Sequence, residues 1–396
     1  MPKATPQRAA RPVVERIARH IGDPVTRLRF LQVVAPAAVI CRSRRLNWLV
    51  LLALATVIAG LVFGGALLWK AFAAAPVRVE ARVVKSAPRV VNTPPRLPEV
   101  WQVDGSDQAE IYSNGLRIDS RYAVSTEPRV YLAFPVSDGG FSPGVRREDP
   151  AGIVFHSTES PQLPFLPGEN RELKRVGESL LEYVRRQRAY HFVIDRFGRV
   201  YRVVRESDVA NHAGHSVWAD DRWLYLNLNQ SFLGISFEAQ TPPPGAQPGS
   251  GEAPAVSPAQ IRAAAVLTEM LVSRYRMPRG NCVTHAQVSV NPANMQAGYH
   301  QDWAAGFPFE KVGLPNNYLT PLPALILCGF EYDGFVYDPS QPGLTSGLYP
   351  GIAAAEKRLR ATAAARGVKP GAWRKALERQ YRDRMAQVRA LETARK

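Results

Sequence analysis

The chain has 396 residues, of which 46% are apolar, so it can bury a sizeable core and form two or three domains. Its net charge is +16, but +8 lies in residues 1–45 and +9 in residues 353–396, which leaves residues 46–352 about neutral. Nucleic-acid-binding domains carry their basic residues on the folded surface, so this distribution argues against nucleic acid as a partner.

A membrane anchor is expected near the N-terminus. Residues 46–69 contain no charge, and as a helix these 24 residues would cross about 30 Å of hydrocarbon. Trp48 and Trp69 lie at its ends, and the arginines before it predict that residues 1–45 are cytoplasmic. A cleavable signal peptide is the alternative, although its apolar region is usually about 7–15 residues and close to the terminus. The expected location is the cytoplasmic membrane, single-pass, with the following domain facing the periplasm or the extracellular side.

The rest of the chain divides into four predicted parts. Residues 70–100 contain scattered prolines and predict a linker. Residues 101–148 have short β-like runs that predict a small β annex or a lead-in to the main domain. The main domain is expected over residues 149–352. Residues 353–396, rich in Ala and Arg, predict a basic helical tail whose charged face is either solvated or in contact with an anionic polymer or a membrane.

Strands and helices alternate in the main domain. Apolar runs predict strands at 152–156, 190–194, 200–204 and 232–239 and a short one at 281–285, and helical spacing is found at 169–187 and 257–275. A hairpin turn is predicted at 195–198, and residues 241–258 form a Pro/Gly-rich loop. The predicted fold class is α/β, with a mixed β-sheet flanked by helices and preceded by the transmembrane helix.

Six of the seven histidines lie between residues 156 and 300. His156 and His285 each follow an apolar β-like run, and Asp302 supplies a carboxylate. Two imidazoles and one carboxylate are a ligand set of catalytic zinc sites, which keep a fourth position for water. Spacing alone leaves ordinary core or surface roles open for each histidine. The cysteines match no metal-binding spacing; Cys282 and Cys328 either pair or are buried free thiols.

Five segments resemble the zinc-dependent N-acetylmuramoyl-L-alanine amidase family, which includes phage amidase-type lysozymes and animal peptidoglycan recognition proteins. They occur in the family's order over about residues 150–310: IVFHST at 153–158, YHFVIDRFGRVYR at 190–202, HAGHS at 212–216, LGISF at 233–237 and VTHAQVSVNP at 283–292. The resemblance implies a type 2 amidase-like fold, Zn²⁺ held by His156, His285 and Asp302, and peptidoglycan as the partner. The implied reaction is hydrolysis of the amide between N-acetylmuramic acid and L-alanine.

The resemblance also implies catalytic roles. Tyr190 is expected to orient the attacking water or to stabilise the tetrahedral intermediate. His300 stands where many members have lysine; an imidazolium can stabilise an oxyanion only while protonated, and binding the metal is an alternative role for His300. Some bacterial members have a catalytic glutamate where this chain has Ser236. Glu238, two residues later on the same face of the strand, is predicted to replace it in part.

Three residues are assigned to the substrate groove. His212 and His215 lie in the segment that resembles the groove loop, and Ser236 faces the same site. An ordered surface loop is an equally open role for His215. His191 neighbours Tyr190 and is predicted to pack behind it. The long interval from His285 to Asp302 predicts an inserted loop.

Two functions remain open from the sequence. One is a membrane-tethered zinc amidase, which the presence of all three implied ligands favours. The other is a non-catalytic peptidoglycan-recognition module, which the departures at His300 and Ser236 favour. A serine hydrolase is disfavoured because the sequence contains no G-x-S-x-G elbow.

Overall fold

A computed structural model describes residues 99–136, 142–160, 162–240, 256–332 and 346–395. The predicted cytoplasmic segment, the transmembrane helix, nearly all of the linker and most of the Pro/Gly-rich loop lie outside these ranges. Within them, no helix combines the length and the hydropathy needed to cross a membrane.

The described ranges contain fifteen β-strands. In chain order these are β1 Gln102–Gly105, β2 Ala109–Tyr112, β3 Arg117–Asp119, β4 Tyr131–Pro135, β5 Val145–Arg147, β6 Gly152–Ser157, β7 Phe192–Ile194, β8 Val200–Arg202, β9 Trp218–Ala219, β10 Trp223–Tyr225, β11 Phe232–Phe237, β12 Cys282–Thr284, β13 Val290–Asn291, β14 Gln296–Ala297 and β15 Glu331–Tyr332.

The same ranges contain seven α-helices and several short 3₁₀ turns. The helices are α1 Asn170–Gln187, α2 Leu228–Ser231, α3 Pro258–Tyr275, α4 His285–Val288, α5 Pro323–Cys328, α6 Tyr349–Ala365 and α7 Pro370–Thr393.

The largest sheet has eight strands in the order β1-β2-β3-β8-β7-β11-β6-β12. Its centre is parallel: β6 lies between β11 and β12, and β11 also pairs with β7. The β7–β8, β1–β2 and β2–β3 pairs are antiparallel. A mixed sheet with helices packed on it confirms the α/β class. A four-stranded antiparallel sheet, β5-β4-β10-β9, and a three-stranded one, β13-β14-β15, complete the topology.

Local sequence explains the elements that were predicted best. Helix α3 starts with a capping box: Ser257 Oγ accepts from the Gln260 amide at 3.1 Å, and Gln260 Oε1 accepts from the Ser257 amide at 2.9 Å. The hairpin of β7 and β8 turns at Gly198, whose φ of 79° is a left-handed conformation that glycine adopts readily. Asp195 Oδ1 accepts from the Phe197 and Arg199 amides and holds that turn together.

Residues 101–148 contribute to both larger sheets. Strand β3 pairs in parallel with β8, and β4 pairs with β10. A buried ion-pair network strengthens the first junction, because Arg202 donates to Glu110 on β2 at 2.7 Å and to Glu206 at 2.9 Å. Of the two alternatives for residues 101–148, these pairings favour a lead-in that completes the sheets of the main domain.

The central strands bury side chains on both faces. One face, with Ile153, Phe155 and Ile235, packs against α3. On the other face, Val154 and Phe232 pack against the four-stranded sheet, whereas Val193 and Tyr201 pack under α1. The residues between these two packed regions lie on the face that carries the candidate site.

The predicted tail is helical and is packed on the domain. Helices α6 and α7 lie against α5, and α7 buries Leu377, Tyr381, Met385 and Val388. Cys282 and Cys328 are both buried free thiols, and burial raises the pKa of each to about 12. Of the two alternatives for this pair, the structure therefore has the free thiols.

Candidate metal centre

His156 is positioned by the register of the parallel sheet. It is the fifth residue of β6 and is only 1% exposed. Strand β11 pairs with β6 so that Ser236 lies directly beside it. Because paired residues of neighbouring strands point to the same face, both side chains enter the space between α1 and the four-stranded sheet.

His285 is positioned by the junction between β12 and α4. Strand β12 pairs with β6 in parallel, with Thr284 opposite Phe155, and His285 is the next residue. Gln287 Oε1 accepts from the Thr284 amide at 2.9 Å, which holds the strand-to-helix turn. A rigid turn at the end of a central strand thus presents the imidazole.

Asp302 follows a β-hairpin that brings the chain back to the two histidines. The predicted inserted loop contains β13 and β14, which pair antiparallel. The His300 amide then donates to Ser289 Oγ at 2.9 Å, and the Ala286 amide donates to the Asp302 carbonyl at 3.2 Å. These bonds tie the Asp302 loop to α4.

The three predicted ligands form one buried cluster. Asp302 Oδ2 lies 3.2 Å from His156 Nδ1, and Asp302 Oδ1 lies 2.9 Å from His285 Nδ1. One ligand atom from each residue lies within 4.8 Å of the others. Zinc bonds of about 2.0–2.2 Å in a tetrahedron place neighbouring donor atoms about 3.3 Å apart, so these separations and this donor set fit zinc.

Electrostatics also favour a cation here. Burial raises the pKa of Asp302, but the neighbouring His285 and the close contacts of the carboxylate with the His156 and His285 imidazoles outweigh it, so the carboxyl pKa lies far below its ordinary value. Burial, together with His285, lowers the pKa of His156 to about 4. At neutral pH the cluster therefore combines a carboxylate with an uncharged His156 imidazole, as a metal site requires.

Tyr190 lies beside the cluster in an unusual backbone conformation. Its φ is 59°, which is uncommon for a non-glycine residue and is often found at functional sites. Its ring centroid is 5.1 Å from that of His156. Burial and the negative charge of Asp302 raise the pKa of its hydroxyl to about 12, so the hydroxyl is protonated and can donate at neutral pH.

Ser236 and His300 adjoin the cluster on different sides. The Ser236 hydroxyl is buried beside His156. Its contact with the Tyr190 hydroxyl lowers the Tyr190 pKa somewhat, but it makes no hydrogen bond of good geometry among the described residues. Such a group is expected to bond to a ligand or water. The His300 ring stacks on His285 with centroids 4.4 Å apart and is exposed to solvent. Both therefore lie next to the buried cluster, and their catalytic or binding roles stay predictions.

The histidines of the predicted groove loop have protein partners. His212 Nδ1 lies 3.2 Å from His156 Nε2, and His212 Nε2 lies 3.3 Å from the Phe232 carbonyl. His215 is exposed, with Nε2 3.5 Å from Glu392 of α7. His191 is fully buried behind Tyr190, where its Nδ1 accepts from the Gly234 amide at 2.9 Å, as predicted for a supporting residue.

Several supporting residues were not found from the sequence. Arg129, from the predicted annex, is buried against His191. Asn229 Oδ1 accepts from the amides of residues 212, 213 and 214 and so holds the groove loop. The charge of Glu159 helps to raise the pKa of Tyr190. Of these residues, only Asn229 is of a type whose side chain commonly bonds to loop amides and could have been suspected from the sequence. The other contacts join distant segments.

Glu238 is not brought to the cluster. It is buried under Gly177 of α1 and accepts from the Arg196 amide at 3.1 Å. Burial and the charge of Asp195 raise its pKa above the ordinary value, although the Arg196 amide partly opposes this. The described contacts thus give Glu238 a place in the packing of α1, away from Asp302.

The raised pKa of Glu238 predicts a pH-dependent stability change. Ionisation of Glu238 opposes folding, so its stabilising contribution is complete below the unfolded pKa of about 4.3 and is lost as pH rises through the folded pKa. Glu238→Gln cannot ionise, so its free energy of unfolding relative to the wild type should be more favourable at pH 7 than at pH 4. Urea unfolding at both pH values measures this.

The matched control for this measurement is Glu178→Gln, the same change at an exposed position of α1. Its difference from the wild type should be the same at both pH values. A pH-independent difference for Glu238→Gln would contradict the assigned environment.

Comparison with known proteins agrees with this geometry. Residues 146–302 match the family model described as N-acetylmuramoyl-L-alanine amidase, a span that contains all three cluster residues. The search of curated proteins found no match.

Similar solved structures include two amidases and a recognition protein. The amidase LysC of Clostridium intestinale URNW is 20% identical, with 48% of this chain and 93% of that chain covered and a TM-score of 0.26. The amidase AmiD of E. coli, in complex with anhydro-N-acetylmuramic acid-L-Ala-D-gamma-Glu-L-Lys, is 16% identical, with 71% and 100% covered and a TM-score of 0.32. The drosophila peptidoglycan recognition protein PGRP-SD is 17% identical, with 43% and 85% covered and a TM-score of 0.24.

The family match is based on the sequence of residues 146–302 and not on these distant structures. It covers four elements that build the cluster, β6, β11, β12 and α4, together with the Asp302 loop. Residues 146–302 of this chain thus match the N-acetylmuramoyl-L-alanine amidase family in sequence, and the same span contains the buried cluster.

Proposed function

We propose that this chain is a membrane-anchored zinc hydrolase that cleaves the amide between N-acetylmuramic acid and L-alanine of peptidoglycan. The observation that carries the proposal is the burial of His156, His285 and Asp302 in one cluster within an amidase-family domain. The uncharged segment 46–69 supports an anchor in the cytoplasmic membrane, with the domain in the periplasm or outside the cell.

The cluster residues would hold the zinc. His156 and His285 offer their Nδ1 atoms, and Asp302 offers a carboxylate oxygen that stays ionised at neutral pH. Bound zinc would supply Lewis acidity, polarising a carbonyl and lowering the pKa of a water to about 7. The sheet register positions the two histidines, and the hydrogen bonds between α4 and the Asp302 loop position the carboxylate.

Tyr190 would act on the oxygen of the scissile carbonyl. Its hydroxyl keeps its proton at neutral pH because its pKa is about 12, so it can donate a hydrogen bond to an oxygen that becomes negative. A single such donor typically contributes about 10²–10³ in rate. The buried Ser236 hydroxyl is a second group available to substrate, and His300 lies at the solvent side, where a departing amine would leave.

A recognition module is the second candidate. It is favoured by the position of Glu238, which contacts the Arg196 amide and lies away from the cluster, so the predicted substitute for the family's glutamate does not reach the reacting atoms. A groove with a metal and Tyr190 but no general base would bind peptidoglycan without cleaving it.

Zinc binding tests the ligand assignment. Asp302→Asn keeps the side-chain shape but removes the charge, so zinc content should fall from about one per chain to near zero, and any hydrolysis should be lost with it. Asp195→Asn, the same change at another buried aspartate, is the matched control and should keep its zinc. Metal analysis after gel filtration decides; full zinc retention in Asp302→Asn would remove Asp302 from the site.

Hydrolysis is tested on purified peptidoglycan fragments with the full chain in detergent micelles. Zinc-loaded protein should release stem peptide that begins at L-alanine, detected by mass spectrometry, and a chelator should abolish the release. Tyr190→Phe should slow release by about 10²–10³-fold with unchanged zinc content. Fragments that bind but stay intact would favour the recognition module over the enzyme.

Anchoring is tested by cell fractionation. The full chain should stay in the membrane fraction after alkaline extraction, and deletion of residues 46–69 should release it, because these 24 uncharged residues are long enough to span the hydrocarbon. Added protease should cleave the domain in spheroplasts but not an epitope placed before residue 45. Full extraction of the unmodified chain would contradict the anchor.

A further inference from the structure

His156 has a protein partner at each ring nitrogen. Nδ1 faces Asp302 Oδ2 at 3.2 Å, which is the metal side, and Nε2 faces His212 Nδ1 at 3.2 Å. The second nitrogen of His212 faces the Phe232 carbonyl at 3.3 Å. Two imidazoles therefore connect a metal-ligand atom to a main-chain oxygen of β11.

The Phe232 carbonyl, the last group of this series, determines which nitrogen of His212 carries the proton. A carbonyl oxygen only accepts, so His212 must carry its proton on Nε2 and donate it to Phe232. In a neutral ring the other nitrogen then accepts, so His212 Nδ1 is an acceptor for a proton on His156 Nε2, while Asp302 Oδ2 is the competing acceptor at His156 Nδ1. Only with the proton on Nε2 does the lone pair of His156 Nδ1 face the metal position.

The space for the His212 ring is provided by a glycine. A Cβ at Gly234 would lie 2.6 Å from His212 Cγ, so only glycine at this place on β11 lets the ring approach His156. The position of the loop is held separately, because Asn229 Oδ1 accepts from the His212 amide at 2.8 Å. The ring is thus placed by both a close backbone approach and a loop anchor.

We propose that His212 is a positioning residue for the metal site: it holds His156 in the Nε2–H tautomer and fixes its ring orientation, so that Nδ1 is available as a ligand. This inference rests on the proposed zinc site. It gives the groove loop a role that differs from the substrate contact expected from the sequence, because both ring nitrogens of His212 are engaged within the protein. Partners of this kind typically contribute about 10–100-fold in metal affinity.

The loop that carries His212 also contacts the C-terminal helix α7. Asn227 donates to Glu392 Oε1 at 2.6 Å, and His215 Nε2 lies 3.5 Å from the same oxygen. Helix α7 therefore supports the loop that carries His212. The metal ligand, the groove loop and the C-terminal helix are joined by side-chain contacts.

The test compares two replacements of His212 in the full chain. His212→Phe keeps a ring but has no nitrogen, whereas His212→Gln offers an oxygen to His156 and an amide to Phe232. The zinc dissociation constant, measured by chelator competition, should rise about 10–100-fold for His212→Phe and less than about 10-fold for His212→Gln. Trp101→Phe, an aromatic replacement at an exposed position with no contact to the site, is the control and should leave zinc affinity unchanged.

A second measurement reads the tautomer without metal. Nitrogen-15 spectra of the metal-free chain, labelled at histidine, should show His156 protonated on Nε2, where it donates to His212. The proton should move to Nδ1 in His212→Phe, because Asp302 Oδ2 is then the remaining acceptor, and it should stay on Nε2 in His212→Gln. Wild-type affinity in His212→Phe, or an Nδ1–H tautomer in the unaltered chain, would overturn the proposal. Because this readout needs no zinc, it decides the role of His212 even if the chain binds no metal, a result that would contradict only the proposed function.

Discussion

The carboxylate of Asp302 lies between the Nδ1 atoms of two buried imidazoles, and the surrounding structure holds these three groups together. A buried carboxylate is unfavourable unless a cation or hydrogen bonds compensate it. His156 and His285 come from β6 and β12, neighbouring parallel strands at one edge of the large sheet, so a rigid register sets their separation. The Asp302 loop is then bonded to α4. The sheet and the loop bonds thus hold the carboxylate beside the two imidazoles, although each of these polar groups would be better solvated in water.

The residues behind the cluster show why the domain needs segments on both sides of the family match. Arg129, before residue 146, donates to the carbonyls of Glu206 and Asp208 at 3.0 Å each and lies against His191. Its pKa, lowered by burial to about 10, still leaves it charged at neutral pH. It also donates to the Phe232 carbonyl at 3.2 Å, which is the oxygen that His212 approaches. From the other side, Glu392 of α7 contacts the groove loop. The N-terminal strands and the C-terminal helix therefore stabilise the same site.

Much of the fold could be predicted because its signals are local. The capping box at Ser257, the turn at Gly198 and the apolar runs that end in His156 and His285 involve residues a few positions apart. The position of residues 101–148 could not be predicted in the same way, since β3 joins β8 through pairing across about eighty residues. Alternation along a strand predicts which residues share a face, and Glu238 shows the limit of that prediction. It was expected on the same face as Ser236, but α1 covers it at Gly177. Sharing a face does not decide which element lies above it.

The sequence by itself determined the α/β class, the candidate ligands His156, His285 and Asp302, and the resemblance to an amidase. These could be predicted because strand periodicity, helix caps and family segments each involve residues that are close together in the chain. Only the tertiary structure decided that His212 contacts a ligand, that Glu238 lies away from the cluster, and that the annex and the tail belong to the domain. These contacts join segments 40 or more residues apart. Their formation depends on how register, burial and loop closure balance over the whole chain, which local patterns do not encode.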